Sequence, residues 1–341
     1  MSVSGAVDRG TDELRGTLKG RDYIETADWS IEEIDEAIAV ARELKARFKA
    51  GEPTRLLPDK TLFMLFLDKS TRTRNAFEAG MTQLGGHAHY LDAEKTQVAH
   101  GESPKDMGII LSSYGHGIAI RHDLIPYEGN AYLRAVAEHA EVPVINLQCD
   151  VDHPTQTLAD LMTMRERRGD DLRGLRVAVS WAYAPSYAKP LSVPQGLLML
   201  LPRFGIDVVL AHPPGFDLMP ETLEKASRGA VEGGGSISFT QDMDEAFTGA
   251  DIVYPKSWGR LDLFTDEQAA LADAARYTEW ICDERRMALA KDDALYMHCL
   301  PADRGTEVTD AVIDGPHSVV YQEAENRLHT GKALMALTMS S

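Results

Sequence analysis

The sequence holds three cysteines, Cys149, Cys282 and Cys299, and none falls in a C-x-x-C spacing. That excludes a disulfide framework and a cysteine-rich zinc site, and makes a reducing cytoplasm the expected compartment. Long apolar runs are also missing. The longest, 62–67 and 197–201, are far too short to span a bilayer, and the first 30 residues carry no apolar stretch of a secretory signal. Positive charge is in deficit: 35 Lys and Arg face 53 Asp and Glu, a net charge of −18. A chain of that sign is not built to hold nucleic acid or an anionic membrane, and the acidic excess serves solubility. Any local basic cluster therefore runs against the overall field. Glycine is absent from the G-x-G-x-x-G pattern, and Gly233-Gly234-Gly235 reads as a loop, so a dinucleotide site is poorly supported. No metal and no cofactor is expected.

What is present is an ordinary globular composition, 44% hydrophobic and 26% charged, in a chain of 341 residues, comfortable for two domains. Residues 1–20 are polar and read as a loose start. A helix begins after Ser30, with Glu33 completing a capping box and Ile31, Ile34, Ile38, Ala41 and Leu44 at helical spacing. Strand-like runs follow at 61–67, 87–91, 117–121 and 142–147, with helices between them at 74–84, 103–114 and 130–141. A longer helix from His153 to Arg168 ends at Gly169. The alternation then restarts, with strands at 175–182, 206–211, 236–239, 251–254, 294–298 and 318–321 and a last helix over 322–338. This predicts an α/β protein of two doubly wound domains with mostly parallel sheets, bridged by long helices. The expected division is 1–152, joined by the C-terminal helix 322–341, and 153–321. Ligands in such sheets sit at the carboxyl ends of strands.

The most telling segment is Ser70-Thr71-Arg72-Thr73-Arg74, between the apolar run 61–67 and a helix. The first N–H groups of a helix have no intrahelical partner, and its dipole favours an anion. Hydroxyls add neutral donors, and arginine adds a planar fork that fits phosphate. Taken alone, the run reads equally as a capped helix with surface arginines. Three other clusters raise the odds: Arg121-His122 ending a strand, Asp152-His153-Pro154-Thr155-Gln156 opening the long helix, and His298-Cys299-Leu300-Pro301 at a strand end. Glu325-Asn326-Arg327-Leu328-His329 lies in the last helix.

The set S-T-R-T-R, H-P-T-Q, H-C-L-P and E-N-R-L-H resembles the aspartate/ornithine carbamoyltransferase family, over residues 18 to 339. The resemblance implies transfer of a carbamoyl group from carbamoyl phosphate to a primary amine, with release of phosphate. It implies that Ser70, Thr71, Arg72 and Thr73 hold the phosphate with Arg327, and that Arg121 bridges phosphate and carbonyl oxygen. His153 would donate to that oxygen as its charge grows. Gln156 would position the carbamoyl amino group, helped by backbone carbonyls near Cys299 and Leu300. Family members are trimers or multiples of trimers with shared sites, and Gln97 matches the position that reaches the neighbouring site. Arg74 matches the motif but equally suits a supporting ion pair.

The acceptor side departs from the ornithine enzymes. Asn146 matches their ornithine-binding asparagine, and Cys299 a residue near the reacting amine. Their aspartate and Ser-Met-Gly loop are replaced here by Tyr254-Pro255-Lys256-Ser257-Trp258-Gly259. The run from Trp181 to Pro194 resembles the proline-rich loop of the knotted, acetylornithine and succinylornithine branch, and with Lys256-Ser257-Trp258 it is most similar to YgeW-type members. A knot in the second domain is therefore expected, against the alternative of an unthreaded surface loop. In that branch the matching lysine meets an acceptor carboxylate, which marks Lys256. The expected partners are carbamoyl phosphate and a small amine such as ornithine, an ornithine derivative or a related amino acid. Phosphorolysis of a ureido compound by the same site, and a non-catalytic binding module, stay open as alternatives.

Overall fold

The computed structural model describes residues 16–340, so most of the expected loose start lies outside the described residues. Among the described residues, nine strands form two parallel sheets. The first, in the order β2-β1-β3-β4, contains β1 (Thr61–Phe66), β2 (His87–Asp92), β3 (Gly117–His122) and β4 (Val144–Cys149). The second, in the order β7-β6-β5-β8-β9, contains β5 (Arg176–Trp181), β6 (Asp207–Ala211), β7 (Ser236–Thr240), β8 (Ile252–Lys256) and β9 (Leu295–Tyr296). Helices cover both faces, so central strands are buried on both sides and read as continuous apolar runs. β8 is buried at every position, and so is β4, an edge strand bridged by Tyr23 at Ile145, whereas the edge strands β2 and β7 are partly exposed.

The capping box after Ser30 forms. Glu33 N–H donates to Ser30 Oγ at 3.2 Å, and Ser30 N–H donates to Glu33 Oε2 at 2.8 Å, opening the helix Ile31–Lys49. The long helix runs from Pro154 to Arg168 and closes on Gly169, whose φ of 91° suits glycine. The expected strand over 318–321 does not form. Tyr296 and Ser318 make an isolated bridge, and Val320 already begins the C-terminal helix Val320–Met339. The β-branched pair Val319-Val320 imitates a strand, but Glu323 N–H donates to Val319 O at 2.9 Å and closes the first helical turn.

That helix lies against Ile31–Lys49, Arg72–Gln83 and Pro154–Arg168. Glycine permits the close crossing: a Cβ on Gly331 would meet the Phe77 ring at 3.1 Å, and one on Gly80 would meet Met335 Cε at 3.0 Å. Lys45 fastens the bundle, donating to Glu166 at 2.8 and 2.9 Å and to Asn326 Oδ1 at 2.7 Å. Asn326 in turn donates to Thr163 Oγ1 at 2.8 Å. Asn326, in the middle of a site motif, is thus a structural residue, and the bundle fixes Arg327 beside it. In the second half, Trp181 donates its indole N–H to Trp258 O at 2.9 Å and Trp258 donates to Phe216 O at 2.8 Å. These bonds clasp the segment after β8 against the end of β5.

Candidate active site

The strand ends of both sheets face one cavity of about 300 Å³. Six cationic side chains line it, Lys69, Arg72, Arg121, Lys189, Lys256 and Arg327, and no aspartate or glutamate does. In a chain of net charge −18 this reversal marks an anion site.

The helix Arg72–Gln83 opens at the cavity with no side chain capping it and no acidic residue in its first turn. Its unpaired N–H groups and dipole therefore face the space. Arg72 Nε and Arg121 Nε are buried without partners, so both guanidiniums hold unused donors. Arg121 is steadied by Asp123, whose Oδ2 accepts from Nη2 at 2.8 Å. The register of β3 against β4 slips after Ile120, so that Arg121 pairs with Gln148, and this irregularity re-aims the strand end. Arg327 is buried, donates to Thr73 Oγ1, and places Nη2 3.4 Å from His153 Nε2. Burial, then the neighbouring charge of Arg72, brings its guanidinium down to about 10.

His153 precedes the first turn of the helix Pro154–Arg168 and is buried. Burial, followed by Arg327, Arg121, Arg72 and Lys256, holds its pKa well below the ordinary imidazole value. It is a neutral ring, with Nδ1 3.3 Å from Thr155 Oγ1. One turn on, Gln156 donates to Asp160 Oδ1 at 2.7 Å and to Glu323 Oε1 at 3.0 Å, while its own Oε1 has no partner. Cys299 and Leu300 close the floor. Burial pushes the Cys299 thiol up, so it presents a neutral S–H. Leu300 has a φ of 55° and precedes a cis peptide bond to Pro301. Its N–H donates to His298 Nδ1 at 2.9 Å.

Lys256 donates to Ser257 O at 2.6 Å, and burial lowers its pKa. Lys189 is held by Glu307 and by Asp303, the latter at 3.2 Å. Glu307 also accepts from the N–H of Ser257 at 2.8 Å and of Asp303 at 2.6 Å. It thereby joins the proline-rich loop to the segment after β8.

The structure brings together Ser70, Thr71, Arg72, Thr73, Arg121, His153, Gln156, Lys256, Cys299, Leu300 and Arg327 around this cavity. Three expected residues lie elsewhere. Asn146 is two residues too deep in β4, where its amide donates to Ile24 O at 2.7 Å; Gln148 lines the cavity instead. Arg74 stacks 3.6 Å from the Tyr90 ring centroid and pairs with Glu78 at 3.7 Å, the supporting role open to it. Gln97 is exposed on a short 3-10 turn, away from its own cavity. Lys189, Tyr187 and Gln148 line the space without having been singled out for it. Asp160 and Glu323, one helical turn from Gln156 and Arg327, carried a visible i,i+4 signal. Among the described residues no cluster of three His, Cys, Asp or Glu side chains could hold a metal.

Two parallel α/β halves with a polycationic cleft at their strand ends define an enzyme that handles an anionic small molecule. The chain belongs to the aspartate/ornithine carbamoyltransferase family. Residues 21–166 match its carbamoyl-P binding domain and residues 191–338 its Asp/Orn binding domain. It is therefore a carbamoyltransferase-type enzyme. It is 38% identical to YgeW of Escherichia coli strain K12, over 91% of this chain and 88% of that one. It is also 38% identical to the ornithine carbamoyltransferase of Halalkalibacterium halodurans, over 94% and 95%. Among solved structures, the ornithine carbamoyltransferase of Pyrococcus furiosus superposes with a TM-score of 0.85 at 38% identity, covering 94% of this chain and 98% of that one. An acetylornithine transcarbamylase in complex with acetylcitrulline gives 0.86 at 33%, covering 94% and 100%.

Proposed function

We propose that the protein transfers the carbamoyl group of carbamoyl phosphate to the primary amine of an amino-acid-like acceptor and releases phosphate. The observation that carries this reading is the convergence of Arg72, Arg121 and Arg327 on an uncapped helix N-terminus, beside a neutral His153. In this reading residues 1–152 with the C-terminal helix hold carbamoyl phosphate, and residues 153–321 hold the acceptor. The phosphate lies on the N–H groups and hydroxyls of Ser70, Thr71 and Thr73 and on the three guanidiniums. The carbonyl oxygen points to Arg121 and His153. The neutral ring of His153 donates its N–H as charge grows on that oxygen. A neutral amine, held in line, adds to the carbonyl carbon. The C–O bond to phosphate then breaks and the departing phosphate takes the amine proton.

The acceptor carries a carboxylate for Lys256. The cavity wall offers no carboxylate for a second ammonium, which favours an acceptor whose other amine is acylated or missing over free ornithine. The relative bound to acetylcitrulline supports that class. The same reading includes a threaded proline-rich loop: Gly259 N–H donates to Lys189 O at 2.8 Å, so the segment after β8 lies against it. It also includes a cytoplasmic homotrimer in which Gln97 serves a neighbour's site. Three free buried cysteines suit a reducing compartment. Mixing inactive Gln97→Ala and Arg72→Ala subunits is expected to restore part of the activity if sites are shared.

The direct test measures phosphate release from carbamoyl phosphate against ornithine, N-acylornithines, putrescine, aspartate, lysine and diaminopropionate, with mass spectrometry of the products. A ureido product with one amine names the acceptor. A protein that fails to bind carbamoyl phosphate at all sinks the reading.

A further inference from the structure

Behind the cavity, and outside it, lies a buried acidic pair. Asp160 on the helix Pro154–Arg168 and Glu323 on the C-terminal helix are both fully enclosed. They share two donors. Gln156 Nε2 gives one hydrogen to Asp160 Oδ1 at 2.7 Å and the other to Glu323 Oε1 at 3.0 Å. Tyr254 OH on β8 lies 3.3 Å from Asp160 Oδ2 and 3.2 Å from Glu323 Oε1. The remaining oxygen, Glu323 Oε2, accepts the backbone N–H of His298 at 2.9 Å. Burial pushes both acids upward, and the charge of Asp160 adds to the rise at Glu323.

An amide side chain can be turned end for end at almost no steric cost, so its neighbours decide which end faces the cavity. Here both amide hydrogens are claimed by carboxyl oxygens. A turned amide would strip Asp160 Oδ1 and Glu323 Oε1 of the hydrogens they accept and set its own oxygen against them in a buried, low-dielectric place. The amide oxygen is consequently driven to the cavity side, where it is buried without a partner. An acceptor left unpaired there discriminates: a ligand that brings an N–H satisfies it, and a methyl group of the same size does not.

We propose that Asp160 and Glu323 are positioning residues that fix Gln156 with its oxygen toward the cavity, so that the site selects a donor bearing an amide N–H over an isosteric acyl phosphate. The inference rests on the proposed carbamoyl phosphate site and adds a selectivity device to it. Neither acid touches the substrate. Both act through Gln156.

Neutral isosteres reverse the pattern. In Glu323→Gln the His298 N–H takes the single side-chain oxygen, and the new amide turns its hydrogens toward Gln156. Adding Asp160→Asn removes the other ionisable acceptor. The experiment is calorimetric titration of wild type and D160N/E323Q with phosphonoacetamide, acetonylphosphonate (its methyl ketone isostere) and inorganic phosphate. Wild type should prefer phosphonoacetamide by about tenfold or more, the ratio of one hydrogen bond to a buried acceptor. The double variant should bring that preference to within about threefold, with phosphate affinity held within about twofold. If the double variant does not fold, E323Q alone should lower the preference at least about threefold. A preference that survives in the variants, an equal affinity of wild type for both phosphonates, or a parallel loss of all three ligands overturns the inference. Wild type that binds neither phosphonate overturns the proposed carbamoyl phosphate site instead.

Discussion

Arg327 Nη2 lies 3.4 Å from His153 Nε2, across 174 residues of sequence. The contact forms because the C-terminal helix returns to pack on the helix that His153 begins. It also places a fixed positive charge beside a neutral imidazole.

Arg327→Met should therefore lower kcat/KM by about a hundredfold or more, the range for removing one donor at a developing oxyanion. It should also raise the His153 pKa, since Arg327 is the largest charge holding it down after burial itself. Side-chain nitrogen NMR checks the second effect: the variant's ring should take up its proton at a higher pH than that of wild type. A ring that titrates identically in both would contradict the electrostatic account.

Arg72 and Arg74 stand two residues apart on one helix and separate cleanly. Arg72→Ala removes a guanidinium with an unpartnered buried Nε from the cavity, and the donor KM should rise by about a hundredfold. Arg74→Ala removes a contact with Tyr90 and an exposed ion pair with Glu78, worth about 0.5–1 kcal/mol of stability, and should leave donor KM within about twofold. Steady-state kinetics with varied carbamoyl phosphate, plus thermal melts, tell them apart.

Lys256→Ala is expected to raise the acceptor KM by about ten- to a hundredfold and to leave the donor KM nearly unchanged. An unchanged acceptor KM would remove Lys256 from the acceptor site. The variant should not unfold the protein, because Lys256 Nζ is held by one backbone carbonyl, that of Ser257.

Asp152 sets a stability slope with pH. It is fully buried, its Oδ2 accepts from Thr26 N at 2.7 Å and Thr26 Oγ1 at 3.0 Å, and burial raises its pKa from 3.8 to about 8. The folded state keeps a proton that the unfolded chain has lost. This contribution is full below pH 3.8 and is lost as pH rises toward about 8, at about 1.4 kcal/mol per pH unit. Asp152→Asn keeps an oxygen for Thr26 and should flatten that part of the slope between pH 6.5 and 8. Urea melts across that range would count against the assignment if the two proteins show the same slope.

Much of this was legible in one dimension. β1 announces itself as an unbroken apolar run, and Ser30 with Glu33 as a cap, because both depend on neighbours within a few residues. The S-T-R-T-R, H-P-T-Q, H-C-L-P and E-N-R-L-H runs mark their residues because an anion site needs donors at strand ends and helix starts, and those are local positions. The misread strand at 318–321 failed for the opposite reason. Val319 and Val320 have the side chains of a strand, and only the helix bundle beneath Val320–Met339 made Val319 a cap and Val320 the first helical residue.

The sequence by itself determined most of the element order, the carbamoyltransferase family and most of the charged residues of the cavity, since each is carried by short contiguous patterns. Tertiary structure alone decided depth and direction. It put Asn146 on Ile24 and left Gln148 at the rim, turned Arg74 onto Tyr90, and gave Glu307 three partners from separate segments. It also gathered Asp160, Glu323 and Tyr254 behind one amide. Which way a side chain faces, and how far it is from water, depend on contacts between separate segments of the chain, and no local pattern encodes them.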